Sequence, residues 1–245
     1  MGNTVVPASK KDIDMYNITT LRGTMFYTPL RYTRDFVNSL AGVVDGYLPA
    51  LMRDPNALPV FQIWQLESPD QKELIAFNGN KIDLIKQVEG EMDDSGIASF
   101  AERCKAVFGR IMEATGNNVS PRIALAPTVV IANNGTRPET LYNHLFACRE
   151  FKNALLDTSN LSQVYRVVKS IGGKDIKINH VANFHADSQI VNIGAVNNIR
   201  ERYICDFDIN TMADPDYKFD KSEMEDFFSM SSGCFTDFYN YYFSE

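Results

Sequence analysis

Histidine and cysteine are both scarce in this chain, with three of the first and four of the second in 245 residues. None of Cys104, Cys148, Cys205 and Cys234 stands in a C-x-x-C pair, and the chain shows no disulfide framework. Three of the four fall on apolar faces of predicted elements, where reduced cysteines pack. No apolar run approaches the length needed to span a membrane, and no basic stretch followed by an apolar run opens the chain. These absences predict a cytoplasmic protein with no membrane partner.

Positive charge is also in short supply. Lysine and arginine number 24 against 31 aspartates and glutamates, for a formal net charge of −7, and the basic residues are scattered. A duplex-binding protein gathers Lys and Arg to replace phosphate counterions, so a nucleic-acid partner is disfavoured. There is no P-loop, no G-x-G-x-x-G and no G-x-S-x-G elbow; "SIGGKD" reads as a turn between strands. No cofactor and no activated nucleophile are expected.

What the chain does have is the makings of a core. Hydrophobic residues are 44% and charged residues 22%, the proportions of a globular chain. Residues 1–17 are polar and unpatterned and read as a flexible arm, leaving 18–245 as one domain in two halves, 18–117 and 120–245. "TTLRGTMFYT" is a strand. Thr33 then caps a helix whose apolar positions run from Phe36 and Val37 through Leu40, Val44 and Tyr47 to Leu51. "VFQIWQL", "LIAF" and "NKIDLIKQV" form a meander turned by Asn78-Gly79. "IASFAERCKAVFGRIMEATG" is a helix capped by Ser95 or Asp94 and ended by Gly116.

The second half opens with the strand "RIALAPTVVIA" and a helix capped by Thr136 with Pro138 in its first turn. Four strands follow: "QVYRVVK", "KDIKINHVANF", "QIVNIGA" and "RERYICDFDIN". Gly172-Gly173 turns the first pair and Asn197-Asn198 the last. A final helix starts with a capping box of Ser222 and Glu225. The expected fold is α+β: a mainly antiparallel sheet with helices on one face. Its two halves would be pseudo-repeated, β-α-β-β-β-α and then β-α-β-β-β-β-α.

"NHVANFHAD" holds His180, His185 and Asp187. Alternation puts His180 with Ile176, Ile178, Ala182 and Phe184 on the apolar face and His185 on the other. The plain reading is a core histidine, a rim histidine and a turn aspartate. A zinc site would need His144 or Cys205 to converge on them. "CDFDIN" carries Asp206 and Asp208 on the polar face of a strand whose other face is Tyr203, Cys205, Phe207 and Ile209. Together His185, Asp187, Asp206 and Asp208 make the candidate divalent-metal set of a hydrolase or nuclease.

The last helix, "EDFFSMSSGCFTDFYNYYF", is the most unusual segment. A buried stripe takes Phe227, Phe228, Phe235, Phe238 and Tyr242, which leaves Tyr239, Tyr241 and Phe243 on other faces. Aromatics there suit a protein interface. The competing reading is a helix wedged in the core and buried nearly all round.

"FQIWQLESPDQKELIAFNGNKIDL" resembles the central hairpin of a sporadically distributed, uncharacterised prokaryotic family. The matching positions are Trp64, Leu66, Ser68, Asp70, Lys72, Asn80, Ile82 and Asp83. "DFDINT" and the ending "FTDFYNYYF" are similar to that family's close. The family carries no established activity or catalytic residues. Its patchy distribution implies horizontally mobile genes, of which defence and toxin–antitoxin modules are a common kind. The expectation is thus a non-enzymatic interaction subunit binding a protein partner or forming a homo-oligomer. A metal-dependent hydrolase or nuclease is the alternative.

Overall fold

The structure is a computed structural model that describes residues 16–27, 33–51, 64–78, 80–89, 92–131, 160–193, 196–214 and 216–243; for residues 16, 160, 186–193, 196–202 and 243 it describes the backbone alone. In chain order the elements are β1 (Tyr16–Phe26), α1 (Arg34–Ala41), β2 (Leu48–Leu51), β3 (Trp64–Glu67), β4 (Glu73–Asn78) and β5 (Lys81–Gln87). Then come α2 (Asp94–Thr115), β6 (Val119–Ser120), β7 (Ile123–Ile131), β8 (Asn160–Ile171), β9 (Lys174–Ile193), β10 (Val196–Thr211), β11 (Phe219–Asp220) and α3 (Lys221–Phe243).

Nine strands make one sheet in the order β2-β3-β4-β5-β1-β7-β10-β9-β8, every ladder antiparallel; β11 and β6 pair separately. The fold is α+β. Strands from the first half fill one side of the sheet and strands from the second half the other, meeting where β1 pairs with β7. The described helices lie on one face. On that face alternation delivers Leu21 and Met25 of β1, Ile82 and Leu84 of β5, and Cys205, Phe207 and Ile209 of β10, all buried. Gly23 of β1 also points there, and a Cβ on it would overlap Sγ of Cys104, so glycine is what lets α2 settle on the sheet.

α2 is capped by Asp93, not by Asp94 or Ser95: the Asp93 carboxylate accepts from Gly96 N at 3.0 Å while its own backbone is still extended. Its stripe of Ile97, Phe100, Cys104, Val107, Phe108 and Ile111 is buried, and Gly116 closes it with a φ of +65°. α3 is capped two residues earlier than the S-x-x-E pattern suggests. Asp220 Oδ1 accepts from Glu223 N at 2.9 Å and Glu223 Oε2 accepts from Asp220 N at 3.0 Å, a reciprocal box two residues ahead of Ser222 and Glu225. Glu223 can hold this position because Tyr217 Oη and Lys174 Nζ also reach its carboxylate, at 2.6 and 2.9 Å.

Other boundaries differ from the sequence reading for identifiable reasons. The first helix, capped by Thr33 as expected, stops at Ala41 with Gly42 as its C-cap. Gly46 then takes a φ of +85°, Pro49 follows, and Leu48–Leu51 leaves the helix to become an edge strand. "KDIKINHVANF" and "QIVNI" belong to one strand of 20 residues, because β10 runs alongside and pairs residue by residue through Asp187 and Ser188. Asn197 and Asn198 are accordingly paired strand residues, not a turn. Gly172 and Gly173 do turn β8 into β9, with φ of +56° and +74°. β1 already includes Tyr16 and Asn17, so the arm cannot reach residue 17. The helix expected after Thr136, with His144 and Cys148, lies outside the described residues. With a fourth strand after α1 and one long β9, the described elements do not follow the expected pair of repeated halves.

Candidate functional site

α3 crosses the second-half strands with its apolar stripe down. Phe227, Phe228, Phe235, Phe238 and Tyr242 are buried, as the periodicity predicts. Phe207 of β10 is the hub beneath them, with ring centroids 5.3 Å from Phe235, 5.4 Å from Phe238 and 6.1 Å from Tyr242 in largely edge-on geometry. Tyr239 also leans inward: it is half-buried, 5.7 Å from Phe235 and 6.4 Å from Phe207. Tyr241 is 67% exposed. Phe243 ends the helix, and its side chain lies outside the described residues.

Tyr241 does not stand alone. Its ring packs 5.9 Å from Tyr165 of β8, which rests in turn 5.8 Å from Phe238. Tyr165 is 41% exposed, and on the opposite face of the same strand Val164 and Val168 are 52% and 58% exposed. Four large apolar side chains therefore wrap around one edge of the sheet. The sequence reading found Tyr241 and missed the strand. The signal was present in "QVYRVVK", where apolar residues occupy both parities, as on a strand that is not simply half-buried.

The histidines separate as alternation requires. His180 sits on the helix face, its ring 5.4 Å from Phe238, and its buried Nε2 has no hydrogen-bond partner among the described residues. Burial pushes its pKa down, Lys169 adds to this, and Asp237 opposes it. His185 is on the outer face, in mid-strand and not at a turn. Its Nε2 lies 2.9 Å from Asp206 Oδ2, and Thr128 Oγ1 donates to Asp206 Oδ1 at 2.7 Å.

Asp208 is one step further along the outer face and answers to a different neighbour, Arg122, at 3.9 Å. Burial raises its pKa, against the opposing pull of Asn210, Arg122, Arg22 and Lys81. Asp187 pairs with Arg202 in the β9–β10 register, and its side chain is outside the described residues. Of the candidate metal set, the structure thus brings together His185 and Asp206, while Asp208 faces a cation. Among the described residues no three His, Cys, Asp or Glu side chains converge in a way that suits an ion. Cys205 lies on the opposite face, buried, with its thiol pushed far up by desolvation.

No described helix is long and apolar enough to cross a membrane. No protein-family model matches the chain, and no curated protein matches its sequence.

Proposed function

We propose that this chain is a non-enzymatic protein-interaction subunit that docks a protein through the edge formed by β8 and the end of α3. The observation that carries the reading is the contiguous strip of Val164, Tyr165, Val168 and Tyr241, each more than two-fifths exposed along one long edge strand and the helix end beside it. Tyrosine offers large contact area at small entropic cost, and Tyr165 and Tyr241 already brace each other. The resemblance of the central hairpin to a sporadically distributed prokaryotic family supports a role as accessory, sensor or neutralising component of a defence or toxin–antitoxin system.

The test is the native mass of the tagged protein purified with its genomic neighbours, by light scattering with mass spectrometry of co-eluting chains. A stoichiometric partner or homo-oligomer that dissociates in Tyr241→Ala, with melting temperature unchanged, is the expected result. A bare monomer in every preparation would overturn the reading.

A metal-dependent hydrolase is the second reading, favoured by the contact of His185 with Asp206. It requires a divalent ion that binds in calorimetry and is lost in Asp206→Asn. Arg122 beside Asp208 works against a cation there.

A further inference from the structure

We infer that β8 receives an extended, acidic segment of a partner protein as an added antiparallel strand. This rests on the reading of the β8–α3 edge as a docking surface and gives it a binding mode and a partner chemistry.

β8 is twelve residues long, ends the sheet order, contains no proline, and has no second partner strand among the described residues. Its polarity follows from its turn. Gly172 and Gly173 both have positive φ, the requirement of a two-residue type I′ hairpin. The residues flanking such a turn, Ile171 and Lys174, form a hydrogen-bonded pair, and antiparallel alternation then directs every odd-numbered β8 backbone group to β9. The N–H and C=O groups of Val164, Arg166 and Val168 therefore face the open edge, and all three side chains are exposed. Such a row is a template for an incoming strand.

Charge selects the occupant. β8 carries Arg166 and Lys169 and no acidic residue. Arg166 lies along the outer face, its Nε donating to Asn179 Oδ1 at 3.2 Å, and Lys169 belongs to the helix face. A second copy pairing with β8 about a twofold axis would bring four positive charges to one seam, and neither strand would contribute an acidic side chain. A segment alternating β-branched and acidic residues carries its acids on one face, so it meets Arg166 in one orientation and Lys169 in the other. Its apolar side chains continue the Val164–Val168 row on the outer face, or the Tyr165–Tyr241 row on the other.

The experiment uses the full chain and a fluorescein-labelled synthetic peptide in which valine and glutamate alternate, read by anisotropy. Its controls are the valine–lysine counterpart and a valine–glutamate peptide N-methylated at alternate backbone nitrogens. The expected result is saturable binding of the acidic peptide, at least about ten-fold tighter than the lysine peptide, with that order reversed in the double variant Arg166→Glu, Lys169→Glu. N-methylation of the peptide abolishes binding, and so does Val168→Pro, which removes an edge N–H and leaves the β9 ladder intact.

Equal affinity for the two peptides, or indifference to N-methylation, overturns strand addition by an acidic segment. A dimer of the unliganded chain that Val168→Pro dissolves also overturns it, and names the second copy as occupant. Loss of binding in Tyr241→Ala together with indifference to N-methylation keeps the docking surface and removes the added strand. Binding that survives Tyr241→Ala, Val168→Pro and N-methylation alike removes both.

Discussion

The sheet has two ends, and they are built differently. β2, at one end, is four residues long, has Pro49 in its middle, and follows a glycine-broken helix. β8, at the other, is three times as long, free of proline, and backed by the aromatic floor of α3. Both ends expose apolar side chains: Leu48 is 63% exposed on β2, much as Val168 is 58% exposed on β8. Exposure alone therefore does not distinguish them. Length, proline and the rigidity of the backing do, and these are the features that make an edge unable or able to accept another strand.

The largest effect should come from removing the floor under one end only. Phe207→Ala empties the hub beneath α3 and should cost about 3–5 kcal/mol, whereas Leu48→Ala at the other end should fall within about 0.5 kcal/mol of wild type. Urea unfolding of the two variants measures both, and equal losses would erase the contrast between the ends.

Glu223→Gln is next. The carboxylate caps α3 and ties it to Lys174 at the foot of the β8–β9 hairpin. Burial pulls the Glu223 pKa upward, but the hydrogen bonds from Tyr217, Asp220 N and Lys174 outweigh it and leave the value lowered. The unfolded chain thus holds the extra proton, so this stability is present above the ordinary glutamate range and is lost as pH falls through it. The variant should lose about 1–2 kcal/mol at neutral pH and show a shallower decline in acid, measured by chemical denaturation across that range.

His180 gives a smaller sensitivity of the same sign, set in the histidine range. Its pKa is lowered in the folded state by burial against Phe238, so below the ordinary value of about 6.5 the unfolded chain binds the proton first. Stability should decline as pH drops below that value, and His180→Leu should flatten the decline in thermal melts. A variant with the same slope as wild type would clear His180 of responsibility for it.

The smallest effect is expected at Asp208, whose pKa burial raises despite Arg122. The folded state favours its protonated form, so its contribution is greatest below the ordinary aspartate range and diminishes as pH rises. Asp208→Asn should therefore raise the melting temperature slightly at neutral pH and change nothing in strong acid.

The sequence pattern made the inner face legible and left the edges obscure. Alternation placed His180 inward and His185 outward, and the 3.6-residue period picked out the buried stripes of α2 and α3, because burial against a sheet imposes its own period on the residues. Boundaries fared worse where the signal was local and the cause was not. Leu48–Leu51 carries helical spacing, yet pairing with β3 and the break at Gly46 take it into the sheet. Ala186, Asp187 and Ser188 look like a turn, yet a continuous partner strand keeps them extended. Edge character is a property of having no neighbour on one side. Only the mixed parity of "QVYRVVK" hinted at it, so the candidate site was read as a helix when it is a helix and a strand together.

The junction of β1 with β7 bears on how the chain is made. β1 leaves the ribosome before every other described strand, and one of its two neighbours, β7, is completed about a hundred residues later. At typical translation rates of roughly 5–20 residues per second, one side of β1 waits on the order of ten seconds for its partner. Over that interval α2 and β5 are already available to hold β1 from the other side. The first half of the chain is thus placed to assemble before the second exists, and the central ladder is the step that joins an older half to a newer one.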